Sequence, residues 1–161
     1  MIFVTVGTGE QQFDRLLCGV ESLSTEEPLV IQHGSSSVRP MRGRCVEFMS
    51  FTDLLSHMRE ATVVITHAGV GSMTAALSAG KRPVVVPRRQ RFGEAVDDHQ
   101  VEIARRLAES KLVTLVEDPK NLESALAAPA EEMGSPLPRE TRLNRDLRSY
   151  LASCCVAVEG R

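Results

Sequence analysis

Val63-Val64-Ile65-Thr66 is an unbroken β-branched run, and it ends in His67-Ala68-Gly69-Val70-Gly71 just before a helical pattern begins. β-branched side chains lose rotamer freedom in a helix and pack well on a pleated strand. A run with no polar alternation is what a strand buried on both faces requires. Such strands belong to parallel sheets covered by helices, so the rest of the chain must supply crossover helices.

It does. Ile2–Val6, Leu29–Gln32, Cys45–Phe48, Pro83–Val86 and Leu112–Val116 read as further strands. Between them lie helical patterns. Phe13, Leu16, Leu17, Val20 and Leu23 recur at helical spacing. Thr52 is placed to cap a helix bearing Leu54, Leu55 and Met58, and Ser72 to cap the helix Met73–Ala79, which Gly80 ends. Further helices are expected near Asp97–Glu109 and at Asn121–Ala127. The expected fold class is α/β, a Rossmann-like doubly wound parallel sheet over residues 1–128. Residues 129–161 follow as a proline-bearing linker and a C-terminal helical appendage, about Arg139–Cys155.

A length of 161 residues suits one such domain. The formal net charge of -2 argues against a nucleic-acid partner, which usually demands a strong basic excess. The cysteines, Cys18, Cys45, Cys154 and Cys155, form no CxxC pair and no Cys/His ligand spacing, so they read as small buried apolar residues in a reduced compartment. No apolar run approaches the roughly 18–20 residues that span a bilayer, and the chain opens directly into a strand pattern. A cytoplasmic protein is expected, with any membrane contact made through its surface or a partner.

In an open parallel sheet, ligands bind beyond the carboxyl ends of the strands. Three loops stand out there. The first is Thr66-His67-Ala68-Gly69-Val70-Gly71-Ser72. Glycines admit close backbone approach, and the helix behind presents unpaired N–H groups and a positive dipole end, a site for phosphate. It also reads as a tight strand-to-helix turn with no ligand, with Ser72 a plain N-cap and His67 a satisfied strand-end histidine. The second is Val6-Gly7-Thr8-Gly9-Glu10-Gln11-Gln12. Its third fingerprint position is Gln12, and Gln32 and His33 stand where a dinucleotide site needs an acid, which argues against NAD. Thr8 and Gly9 remain candidates for touching a phosphate or sugar. The third runs Arg88-Arg89-Gln90-Arg91-Phe92-Gly93-Glu94 and leads to Asp97-Asp98-His99-Gln100. Its arginines suit a diphosphate leaving group, and Asp98, His99 and Gln100 suit sugar or ribose hydroxyls. Taken alone it reads better as a solvated basic loop followed by acids that complement a helix N-terminus, and the ligand reading gains from the convergence of all three loops on one rim of the sheet.

The stretch VITHAGVGSMTAALSAGKRPVVVPRRQRFGEAVDDHQVEIARRL, Val64–Leu107, resembles the donor-binding half of the MurG-like glycosyltransferases. The likeness is strongest to small split members, PssE-type exopolysaccharide enzymes and the catalytic subunit of the eukaryotic dolichol-linked N-acetylglucosamine transferase. The opening MIFVTVGTGEQQFDRL is similar to the start of the same small proteins, and the match extends over about residues 1–128.

This resemblance implies the C-terminal, donor-binding half of a GT-B fold. It implies an inverting transfer from a UDP-sugar, with helix-end N–H groups rather than a metal stabilising the departing UDP, and no cofactor. It also implies a membrane-anchored, acceptor-binding partner of the PssD type that holds a polyprenyl-diphosphate-linked acceptor. By matched position, Gly69, Gly71 and Ser72 hold the diphosphate, the backbone at Phe51 meets the uracil, and Asp98, His99 and Gln100 contact the donor sugar. Thr8, Gly9, His67, Arg88 and Glu94 complete the expected binding set, and no residue is identified as the catalytic base. Two positions depart from the pattern. Ala75 stands where MurG carries an acid for the ribose hydroxyls, and Gly9 stands where PssE-type relatives often carry histidine.

Overall fold

A computed structural model describes residues 1–127; the expected linker and helix of residues 129–161 lie outside the described residues. The strands β1 (Ile2–Thr5), β2 (Leu29–Gln32), β3 (Arg44–Val46), β4 (Val63–His67), β5 (Val84–Val86) and β6 (Thr114–Leu115) form one sheet in the order β3-β2-β1-β4-β5-β6. Every pairing is parallel. The helices are α1 (Asp14–Glu21), α2 (Phe51–Glu60), α3 (Val70–Ser78), α4 (His99–Glu109) and α5 (Leu122–Ala127), with short 3-10 turns at Gln90–Phe92 and Pro119–Asn121.

The strands alternate their side chains between two cores. Ile2 and Val4 of β1 and Ile65 of β4 pack with Leu16, Leu17 and Val20 of α1 and Leu122 of α5. Phe3 and Val64 point the other way, onto Met58 of α2 and Ala75 and Ala76 of α3, while Val85 meets Met73 and Ala104 of α4. Burying each large side chain of this kind contributes roughly 1.5–3 kcal/mol. The doubly wound reading is therefore met, with α1 and α5 on one face and α2, α3 and α4 on the other.

Several expected boundaries shift by a residue or two, and two strands and two caps change most. The third strand is Arg44–Val46 rather than Cys45–Phe48, and the sixth shrinks to Thr114–Leu115. Each is an edge strand with a neighbour on one side only, so pairing ends early. Thr52 does not cap α2. Ser50 does, its Oγ accepting from the Asp53 N–H at 3.1 Å and donating to the Asp53 carboxylate at 2.7 Å. Ser72 does not cap α3, which starts earlier, at Val70, with Gly69 in the cap position and no side-chain cap.

Candidate functional site

The sheet order reverses between β1 and β4, and ligands of doubly wound sheets bind in the crevice beyond the strand ends at that point. A cleft of about 360 Å³ lies there, lined by Thr5, Gly7, Thr8, Gly9, Gln32, Met49, Phe51, Leu54, His67, Gly69, Gly71, Ser72 and Ala75. A larger groove of about 500 Å³ lies between α1 and the Pro119–Asn121 turn, bordered by Cys18, Leu23 and Phe92. No expected site residue borders that groove.

The cleft's polar end is the start of α3. Its first intrahelical bond joins the Met73 N–H to the Gly69 carbonyl, so the N–H groups of Val70, Gly71 and Ser72 have no intrahelical acceptor. No side chain caps this end and its first turn carries no acid. Such an end favours an anion.

His67, the last residue of β4, organises this corner. Its Nδ1 accepts from the Gly69 N–H at 3.0 Å. A neutral ring accepting there carries its proton on Nε2 and donates it to Ser72 Oγ at 3.1 Å. The Ser72 hydroxyl is left to donate elsewhere. Burial first, and then the charge of Arg88, lower the imidazole pKa against an opposing hydrogen bond with Gln100, to about 4 in all. The ring is thus neutral at physiological pH.

The glycines divide by role. A Cβ on Gly69 would lie 2.0 Å from His67 Cε1, and one on Gly7 would lie 2.4 Å from Nε2. Gly7 also takes φ +82°, a left-handed turn out of β1. These two glycines make room for the protein's own histidine ring. At Gly71 no heavy atom lies within 4 Å of a Cβ, so that position opens into free space.

Opposite stands Gln32, which sequence reasoning noted only as the lack of an acid. It is 2% exposed and fully engaged. Its Oε1 accepts from Thr5 Oγ1 at 2.5 Å, and its Nε2 donates to the carbonyls of Gly7 at 3.0 Å and Glu47 at 2.9 Å. It ties the first loop to the segment leading into α2. A polar residue closing an otherwise apolar strand was the available signal.

The third loop behaves differently from expectation. Arg88 is 5% exposed and does not face the cleft. Its guanidinium donates to the carbonyls of Val6 at 2.8 Å, Gln11 at 2.8 Å, Gln12 at 3.3 Å and Glu94 at 3.1 Å, and it lies 4.7 Å over the Phe13 ring. It clamps both ends of the loop that carries Thr8 and Gly9. Glu94, also buried, takes a bidentate pair from Arg15 at 2.8 and 2.9 Å and the Arg89 N–H at 3.0 Å. Arg89 pairs with Glu117 at 2.5 Å, and Arg91 stacks on Phe92. Buried cations need such partners, and Arg88 and the half-buried Arg89 find them within the chain, whereas Arg91 is exposed. The acid that makes the loop rigid, Glu117, is distant in sequence and carried no local signal.

Asp98 and His99 are likewise engaged outside the cleft, while Gln100 backs the His67 ring that lines it. Asp98 Oδ1 accepts from the Gln90 N–H at 2.9 Å, His99 Nδ1 pairs with Asp97, and Gln100 Oε1 accepts from the Arg88 N–H at 3.3 Å. The structure thus gathers Thr8, Gly9, Phe51, His67, Gly69, Gly71 and Ser72 into one cleft and leaves Arg88, Glu94, Asp98, His99 and Gln100 in the framework beside it.

Comparison with known proteins agrees with this geometry. The UDP-N-acetylglucosamine transferase subunit ALG13 of Yarrowia lipolytica is 47% identical over 55 residues, covering 34% of this chain and 26% of the relative. The subunit of the same name from Mus musculus is 35% identical over 119 residues, covering 65% of this chain and 10% of the relative. The chain therefore spans about a quarter or less of these relatives. Among solved structures, CalG4, the calicheamicin glycosyltransferase, superposes with TM-score 0.59 at 18% identity, over 95% of this chain and 43% of that one. MurG of Acinetobacter baumannii gives 0.52 at 21% identity, over 77% and 40%. These likenesses establish the fold as the Rossmann-like C-terminal half of a GT-B glycosyltransferase. The model of the glycosyltransferase family 28 C-terminal domain matches residues 1–147, and the chain belongs to that family.

Proposed function

We propose that the chain is the donor-binding, catalytic subunit of a two-subunit inverting glycosyltransferase. It takes a sugar from a UDP-sugar and passes it to a polyprenyl-diphosphate-linked acceptor held by a membrane-anchored partner of the PssD type. The observation that carries this reading is the uncapped start of α3, facing a cleft at the topological switch point. Its free N–H groups and the Ser72 hydroxyl suit a diphosphate, and the apolar wall of Met49, Phe51 and Leu54 suits a uracil ring.

The named relatives are UDP-N-acetylglucosamine transferases, which supports that sugar nucleotide as donor. Arg88 and Arg89 are engaged by the chain itself, so those two give no reason to prefer a carboxylate-bearing sugar. The likeness of Val64–Leu107 to PssE-type enzymes supports a place in exopolysaccharide or capsule assembly, on the cytoplasmic face of the membrane through the partner. No helix of the described residues is long and apolar enough to cross a bilayer.

Among the described residues none that lines the cleft is acidic, and both nitrogens of His67 are engaged, so the general base is assigned to the acceptor half. The same observation favours a second reading, a non-catalytic subunit that enhances a partner transferase. Radiolabelled sugar transfer by each subunit alone and by the pair separates the two. Transfer by the pair only, blocked by Gly71→Val and persisting in excess EDTA, is the expected result. Transfer by the partner alone, merely stimulated by this chain, establishes the enhancer role instead.

A further inference from the structure

Three segments that line or approach the cleft meet at one side chain. Gln32 closes β2, level with Thr5 of β1 and Val46 of β3 in the sheet register. Its Oε1 accepts from Thr5 Oγ1 at 2.5 Å, and Thr5 Oγ1 accepts in turn from the Gly7 N–H at 3.2 Å. Its Nε2 donates to the carbonyls of Gly7 at 3.0 Å and Glu47 at 2.9 Å. The Thr5–Gln32 pair therefore holds both backbone polar groups of Gly7. The Glu47 carbonyl also takes the Gly34 N–H at 2.9 Å. Gly34 adopts φ +53°, and a Cβ there would lie 2.8 Å from the Gly7 carbonyl oxygen, so this turn admits that carbonyl only as glycine. Gly7 leads into Thr8 and Gly9, and Glu47 leads into Met49, Phe51 and Leu54; all five line the cleft.

A carboxamide brings one acceptor oxygen and two N–H donors on a neutral group, and Gln32 uses all three. We infer that Gln32 is a positioning residue for nucleotide binding: its carboxamide sets the spacing between the loop that carries Thr8 and Gly9 and the segment that carries the apolar wall, so that one ligand engages both. This deepens the donor-site reading given above and rests on it. Gln32 acts through the backbone of Gly7 and Glu47, and the chemistry required at position 32 follows from those two carbonyls. A glutamate has the same shape and still accepts from Thr5. Ionised, it turns its second oxygen towards two carbonyls where the amide donated, and repulsion parts the two segments. Protonated, it regains one donor, and burial beside carbonyls favours that neutral form. A methionine of similar length regains neither donor nor acceptor at any pH.

Calorimetric titration of UDP into the 161-residue chain and its Gln32→Met and Gln32→Glu variants, between pH 5.5 and 9, tests it. Each affinity is taken relative to the unsubstituted chain at the same pH, which cancels the titration of UDP itself. Gln32→Met is expected to bind about tenfold or more weakly at every pH. Gln32→Glu is expected to match it at pH 9 and to recover by about threefold or more at pH 5.5. A purely structural role shifts melting temperatures without that profile. Thr5→Val keeps the β-branched shape and removes only the hydroxyl between Gly7 and Gln32, so it serves if the position 32 variants fail to fold; UDP binding about threefold or more weaker is expected. Native affinity in folded Gln32→Met or in Thr5→Val overturns the proposal, as does a Gln32→Glu ratio that is flat with pH, and the UDP site is left standing. Failure of the unsubstituted chain to bind UDP overturns the nucleotide reading itself.

Discussion

Gly71 offers the cleanest separation of a ligand-binding role from a structural one. It lies in the first turn of α3, exposed, with an ordinary helical backbone and nothing within 4 Å of a built Cβ. Within the protein's own structure glycine is therefore not required there, and in a helix it costs about 0.5–1 kcal/mol relative to alanine. Gly71→Ala should raise the melting temperature slightly, and Gly71→Val should leave it within a few degrees of the native value, since valine's propensity lies between the two. The added methyls fill the space in front of the free N–H groups. Losing two charge-assisted bonds to a diphosphate, at about 1.5–3 kcal/mol each, lowers UDP affinity by roughly 100-fold or more. Gly69→Ala is the contrasting control. Its Cβ would lie 2.0 Å from the His67 ring, so it should destabilise the fold by about 1–3 kcal/mol. Calorimetry for UDP alongside thermal melts measures both effects. A folded Gly71→Val protein with native affinity refutes the assignment of this helix end to the phosphate.

The depressed pKa of His67 has a consequence for stability against pH. The unfolded chain binds a proton at this ring below 6.5, whereas the folded one does so only near 4, so stability rises with pH across that interval and is lost on acidification. The loss approaches about 3 kcal/mol by pH 4, and His67→Asn should flatten the slope between pH 6.5 and 4.5 in denaturant titrations. An unchanged slope in the variant shows that another group is responsible. Arg88→Met should lower stability by about 3 kcal/mol or more and speed amide exchange through residues 7–12, because several buried carbonyls lose a charged donor. Unaltered melting with abolished UDP binding would return Arg88 to the phosphate.

Much of the fold was legible because its signals are local. The Val63–Thr66 run, the alternation of strand and helix patterns and the glycine turns each follow from a few adjacent residues, and they place the cleft at the right rim. Chemistry within the third loop was not legible in the same way. Arginines beside a presumed phosphate site and arginines that hold carbonyls of a distant loop look identical as residue types. The difference lies in partners at long separation, Val6, Gln11 and Gln12 for Arg88 and Glu117 for Arg89. Ser72 misled for a related reason. Its residue type and place before an apolar run suit a cap, yet the helix begins earlier and His67 takes the hydroxyl.

The glycine-rich segment shows why composition understates what such a motif does. Gly7 and Gly69 admit the His67 ring, that ring holds the Gly69 N–H and orients Ser72, and only Gly71 remains as open space for something outside the chain. Arg88 then fixes the facing loop at both ends, while Gln32 ties it to the approach to α2. Among the described residues, free N–H groups remain at one end of the cleft and apolar surface at the other. The proposed ligand, a nucleoside diphosphate, brings acceptors and a flat ring on the same molecule. Among the described residues that line the cleft none is acidic, which is why the proposed function places the acceptor-activating base in the partner.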